Sequence, residues 1–271
     1  MAALPRLRRT TLAAPALWAA LAAVAVTAAE VGLASSGSVS QTNMAIARCL
    51  TGGLTCCPLL ALLGAKRPQD RAWGWIVLSL WIVLALPALQ AWLFQRGFEL
   101  HPAQAWFLLI LIVTGAINHL ASRYAPSACL ASAGQVLLMK ESLPAVFAGP
   151  AWPRLGLGLF AAAVLLAWLV PSRSARSLDR VWLDFRDAFG LVWGLRVQER
   201  VNSAATAQSW PVRLSWRGFQ TSVPTTTLGE TDLPIPSAPA IDPGPAGDVL
   251  RNSLWRFVSP GWIAEREAGA Y

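Results

Sequence analysis

Side chains able to do chemistry are few in this 271-residue chain, and most stand in apolar surroundings. The histidines are His101 and His119, and the cysteines are Cys49, Cys56, Cys57 and Cys129. On one continuous helix the two histidines would stand about 27 Å apart, too far to share a metal or a haem iron. The cysteines form no CxxC pair and no zinc spacing. Cys56 and Cys57 are adjacent inside an apolar stretch and read as small packing residues. No Ser/His/Asp set, phosphate loop, paired-carboxylate motif or HExxH sequence occurs. No catalytic residue, metal site or cofactor is therefore expected. The remaining polar candidates sit in or beside apolar runs: Gln90 near Pro87, the pair Asn118-His119, and the pair Lys140-Glu141. Ionisable groups are costly in hydrocarbon, so such residues are candidates for lining a path through a membrane.

The elements that must carry these residues are long and uncharged. Ala72–Phe94, Ala103–Ser122 and Leu155–Val170 contain no Asp, Glu, Lys or Arg. A helix needs roughly 20 apolar residues to cross the hydrocarbon core. With 55% hydrophobic residues, 13% charged and a mean hydropathy of +0.48, the expected class is an all-α integral membrane protein. Spans are expected at about 12–33, 45–65, 72–94, 103–122, 125–149 and 155–171, making residues 1–171 a transmembrane helical domain. Residues 12–33 are read as a retained span, with a cleaved signal peptide as the alternative. Pro87 is expected to kink its span, and Arg48 to snorkel at a span edge. The tryptophans around Arg71–Trp75 read as an interfacial belt.

Charge placement sets orientation. Residues 1–171 hold 11 Lys+Arg against 4 acids, whereas residues 172–271 hold 11 against 10. The excess lies at span ends, as the positive-inside bias requires, so a nucleic-acid partner is not expected. Six spans place Arg6, Arg8, Arg9, Lys66, Arg67, Arg71, Arg123, Arg173, Arg176 and Arg180 on one side. Only Arg48, Arg96 and Arg154 then fall opposite, with Lys140 inside the expected span 125–149. Five spans, the alternative, would turn one basic cluster outward. A multi-pass protein of the cell membrane with both termini cytoplasmic is the expectation.

Beyond Pro171 the pattern changes. Residues 172–220 read as an amphipathic helix and a strand. Trp182, Phe185, Phe189 and Trp193 lie on the apolar stripe, with Asp179, Arg180, Asp184, Arg186 and Asp187 on the opposite face and Ser177 as cap. Val212, Leu214 and Trp216 alternate with polar residues as a strand. Residues 221–247, rich in Pro, Thr, Ser and Gly, read as a disordered tether. Residues 248–271 read as a terminal docking helix presenting Leu250, Leu254, Trp255 and Phe257, capped by Asp248 and ended by Pro260. The helix around Trp182 is expected to pack on its own strand, a partner or the membrane surface. The leading functional expectation is a non-catalytic scaffold or accessory subunit in the lipid bilayer, using this tail to recruit a protein partner or a second copy. A small transporter or channel subunit is the alternative, and a haem-binding redox protein ranks third.

Overall fold

The computed structural model describes residues 9–37, 39–147, 152–171, 177–221 and 243–268. The chain divides into two compact units, Met1–Pro171 and Ser172–Tyr271.

Among its described residues the first unit is built from helices joined by turns. In chain order it comprises α1 (Ala13–Ser35), α2 (Gln41–Leu63), α3 (Asp70–Leu93), α4 (Pro102–Leu120), α5 (Ala125–Leu138) and α6 (Pro153–Leu169). Single 3₁₀ turns at Lys140–Ser142 and Ala145–Phe147 follow α5. Four of these helices, α1 to α4, are long and apolar enough to cross a membrane; α5 and α6 are shorter apolar helices. Pro58 and Pro87 lie inside α2 and α3, which continue through them.

Short connections force neighbouring helices to run antiparallel, and α2 is the hub, packing on α1, α3, α4 and α5. Its core side chains Cys56, Cys57, Leu60 and Ala61 share a cluster with Val26 of α1, Val77 and Leu84 of α3, Leu108, Leu111 and Ile112 of α4, and Leu138 and Met139 at the end of α5. Small residues allow the closest crossings. A Cβ added to Gly134 of α5 would stand 2.9 Å from the Gly156 carbonyl oxygen of α6, so backbone meets backbone there. The Trp73 indole, expected at the interface, is partly buried and donates to the Leu60 carbonyl at 2.7 Å; Trp81 donates to Leu50 at 3.2 Å. Both indoles thus find acceptors on α2.

The second unit is built around α7 (Leu178–Ala207), followed by the strands β1 (Val212–Ser215) and β2 (Gly218–Thr221), then α8 (Gly244–Leu254) and α9 (Pro260–Ala268). The strands form an antiparallel hairpin, pairing Leu214 with Phe219 and Ser215 with Gly218. The expected alternation is therefore only its first strand. Trp216 lies in the turn, and Gly218 begins the missed return strand, which carries Phe219. The second strand lies where tether composition begins, and its four residues are too few to show a period. Residues 222–242 of the expected tether lie outside the described residues, and α8 starts inside its last residues.

Helix α7 is not one straight rod. Gly190 has φ 76° and ψ −167°, a backbone region essentially reserved for glycine. The break resets the helical phase: Val181, Trp182, Phe185 and Phe189 are buried before it, and Trp193, Val197, Val201 and Ala205 after it. A straight-helix reading sees the stripe fail at Arg196 and Glu199, because it keeps the phase of the first half. Gly190→Ala is expected to destabilise this unit by about 1–3 kcal/mol through the strained φ alone. Near-ultraviolet circular dichroism during heating checks it; an unchanged midpoint would mean the break tolerates a Cβ.

Two cap assignments change. Ser177 makes no side-chain hydrogen bond to its helix. Asp248 lies within α8 and pairs with Arg251 at 2.8 Å. Pro260 opens α9, where its missing N–H is no loss.

Candidate functional site

In the helical unit, the polar residues form separate groups. Glu30, near the end of α1, and Arg48, near the start of α2, face each other across the connection between these helices. Arg48 Nε donates to Glu30 Oε1 at 2.9 Å, and Arg48 Nη1 reaches Glu141 Oε1 at 3.3 Å. A guanidinium is thus held between two carboxylates from three elements. The Glu30 side chain is 12% exposed, Arg48 16% and Glu141 36%. Arg48 does not simply snorkel: pairing removes most of the penalty of a partly buried charge. Of the expected polar residues, only Glu141 joins this cluster. Lys140 beside it is partly buried, and Gln90 is exposed on α3. Gln90 lines a cleft of about 290 Å³ with Pro87, Ala91, Phe94, Arg96, Gly97 and Glu99.

Asn118 is buried in the last turn of α4, its Nδ2 3.4 Å from His119 Nε2. His101 caps the start of the same helix, its Nδ1 accepting from the Ala103 N–H at 3.2 Å. The structure therefore sets the two histidines at opposite ends of α4, as their spacing requires. A second cross-link was missed by sequence reading: Gln135 Nε2 of α5 donates to the Thr55 carbonyl at 2.9 Å and to Thr55 Oγ1 at 3.1 Å. Polar groups in apolar helices find one another in this way. The readable signal for Glu30–Arg48 was an acid and a base at matching depth on either side of a short connection.

Arg48→Ala would leave Glu30 and Glu141 as neighbours without the cation between them. A loss on the order of 1–3 kcal/mol is expected in detergent, partly recovered in the Glu30→Ala/Arg48→Ala double variant. The buried thiols of Cys49, Cys56 and Cys57 report this unfolding through a thiol-reactive dye. Equal loss in the single and double variants would contradict the pairing.

In the C-terminal unit, the side chains expected to dock a partner are consumed by its own core. Trp182, Phe185, Phe189, Leu250 and Leu254 are fully buried, and Phe257 and Trp193 nearly so. Phe257 seats its ring 5.3 Å from those of both Phe185 and Phe189 and 4.9 Å from Trp193, straddling the break at Gly190. Of the expected docking residues, only Trp255 stays exposed, at 52%. The physical reason is that α8 folds back onto α7 and buries the two stripes against each other.

The charged face of α7, opposite the apolar stripe, is covered as well. Arg180, Asp184, Arg186 and Asp187 are all buried. Asp184 Oδ2 accepts from Arg266 Nε of α9 at 3.1 Å and lies 3.8 Å from Arg180 Nε. Arg186 donates to Asp187 Oδ1 at 2.7 Å and to the Trp216 carbonyl of the hairpin turn. Asp179 Oδ1 accepts from the Phe219 N–H at 2.7 Å. The hairpin covers one side of this helix and the terminal helices the other.

Hydrogen bonds also seal the hairpin onto the second half of α7. Asn202 accepts from the Leu214 N–H at 2.8 Å and donates to its carbonyl at 2.9 Å, so a side-chain amide replaces a further strand along β1. Arg251 links α8 to Glu267 of α9 at 2.9 Å. Burial acts to lower the Arg251 pKa, but its bonds to Glu267 and Asp248 outweigh burial and hold it above the ordinary value.

Among the described residues, no group of three or more His, Cys, Asp and Glu side chains could hold a metal ion. The features together define a largely helical chain with four helices suited to crossing a membrane, followed by a separate unit with its own core. Comparison with protein-family models, curated proteins and solved structures finds no match.

Proposed function

We propose that this chain is a six-span membrane protein with both ends on the cytoplasmic side of the cell membrane, working as a non-catalytic scaffold or accessory subunit. In this reading the C-terminal unit is presented as a folded body, and its surface, not an extended docking helix, recruits a protein partner. The observation that carries it is the self-docking of Leu250, Leu254 and Phe257 onto α7, which makes a closed module beyond the helical unit. Trp255, with the Arg256 guanidinium 5.8 Å from its ring centroid, is the side-chain pair best suited to contact a partner, because aromatic and arginine residues dominate interface energetics. The tie between Glu30 and Arg48, and that between Thr11 Oγ1 and the Ala65 carbonyl at 2.5 Å, support retention of α1 as a span.

The test is purification from native membranes in mild detergent, comparing the full chain, a chain ending at Pro171, and Trp255→Ala. Support is a stoichiometric partner held by the full chain, lost on truncation and weakened by Trp255→Ala. A partner retained by the chain ending at Pro171, or homo-oligomers unchanged by truncation, would overturn it. The charged cluster of Arg48, Glu30 and Glu141, at one end of the apolar run of α2, favours a second reading, a small transporter or channel subunit. That reading requires Glu141→Gln to alter transport while leaving the protein folded.

A further inference from the structure

We propose that the helical unit is matched to a thin bilayer, with a hydrocarbon layer of about 25 Å instead of the usual 30 Å or so. The inference rests on the six-span reading and adds the kind of lipid surface that the unit fits. Three rulers agree, two of them pairs of exposed tryptophans and the third the uncharged runs of α2 and α5; the longer uncharged runs of α3 and α4 extend past these levels. On α3, Trp75 and Trp92 are 73% and 57% exposed, and their spacing along the helix is about 26 Å. On α6, Trp152 at the N-cap and Trp168 are 55% and 81% exposed, and their spacing is about 24 Å. Helices α3 and α6 run in opposite senses in the six-span order, so Trp75 falls level with Trp168 and Trp92 with Trp152. Trp106, exposed near the start of α4, joins the second level. Indole rings collect at the headgroup boundary, so these two levels mark its two faces.

The charges give the third ruler. From Arg48, fixed by Glu30 and Glu141, to Lys66 beyond the end of α2 there is no charged residue, a rise of about 27 Å. From Arg123 to Lys140, across α5, there is likewise none, a rise of about 26 Å. In the six-span order Arg48 and Lys140 lie at the level of Trp92, and Lys66 and Arg123 at the level of Trp75. The modest length of α5 is then what a thin layer requires, with the 3₁₀ turn at Lys140–Ser142 completing the crossing.

The test uses the full chain reconstituted into phosphatidylcholine vesicles whose monounsaturated acyl chains run from 14 to 22 carbons. Competition with brominated lipid, read by tryptophan quenching, gives relative lipid affinity at each length. Affinity is expected to be highest with chains of about 14–16 carbons and to fall about three-fold or more by the longest. A maximum at 20–22 carbons, or no dependence on length, would overturn the thin-layer inference and leave the span assignment standing. No quenching at any length would mean the unit does not meet lipid, and both would fall.

Discussion

Replacing Phe257 with alanine is expected to destabilise the C-terminal unit by about 3–5 kcal/mol, the range for removing a fully packed aromatic ring. Phe257 is 3% exposed and touches three rings that come from both halves of the broken helix α7. Its loss opens a cavity where the backbone at Gly190 prevents α7 from closing in. A domain of this size has only about 5–15 kcal/mol of total stability, so the terminal segment should detach. Limited trypsin digestion of the detergent-solubilised full chain reads this directly, because Arg251, Arg256 and Arg266 become cleavable. Trp255→Ala, two residues away but exposed, is the control and should change stability by less than about 0.5 kcal/mol. Equal digestion of both variants would show that the terminal segment is not held by the ring cluster.

Asp184→Ala is expected to have an effect of similar size through electrostatics. Its carboxylate lies between Arg180 and Arg266, with the three side chains 5–13% exposed. Removing one member of a buried ion pair typically destabilises by about 3–5 kcal/mol, because the remaining charge has lost both water and partner. Here two guanidinium groups lose the same carboxylate, and α9 loses the bond from Arg266 to α7. Glu199→Ala, at an exposed position on α7, should leave the unfolding midpoint in guanidinium chloride unchanged. A midpoint for Asp184→Ala equal to that of Glu199→Ala would show that the carboxylate contributes nothing to holding α9.

The helices of the first unit were legible because hydrocarbon imposes one simple rule, an uncharged run of sufficient length, and α3 and α4 follow it closely. The stripe of α7 up to Phe189 was equally plain. What stayed hidden depends on contacts distant in sequence or on single backbone angles. The break at Gly190 has no period of its own, and a glycine between apolar residues looks like any other. Arg180, Asp184, Arg186 and Asp187 read as the polar face of an amphipathic helix. Two of their pairings are local, Arg180–Asp184 and Arg186–Asp187, but the bonds that cover this face come from α9 and the hairpin, remote in sequence. Trp182, Phe185, Leu250 and Phe257 were recognised as apolar faces needing cover, but sequence alone does not say that each covers the other. Among the polar candidates, Glu141 was found without its partner Arg48, since the pair is separated by most of the helical unit.

The most direct measurement of the central claim is labelling of single introduced cysteines with a membrane-impermeant maleimide, in intact and in permeabilised cells, on a Cys129→Ala background. The positions are Ser36, Gln69, Gly97 and Gln208, all exposed in the structure. Six spans with both ends cytoplasmic require Ser36→Cys and Gly97→Cys to react in intact cells. Gln69→Cys and Gln208→Cys should then react only after permeabilisation. Reaction of Gln208→Cys in intact cells, with Gln69→Cys still protected, would put an odd number of crossings between them and contradict the account.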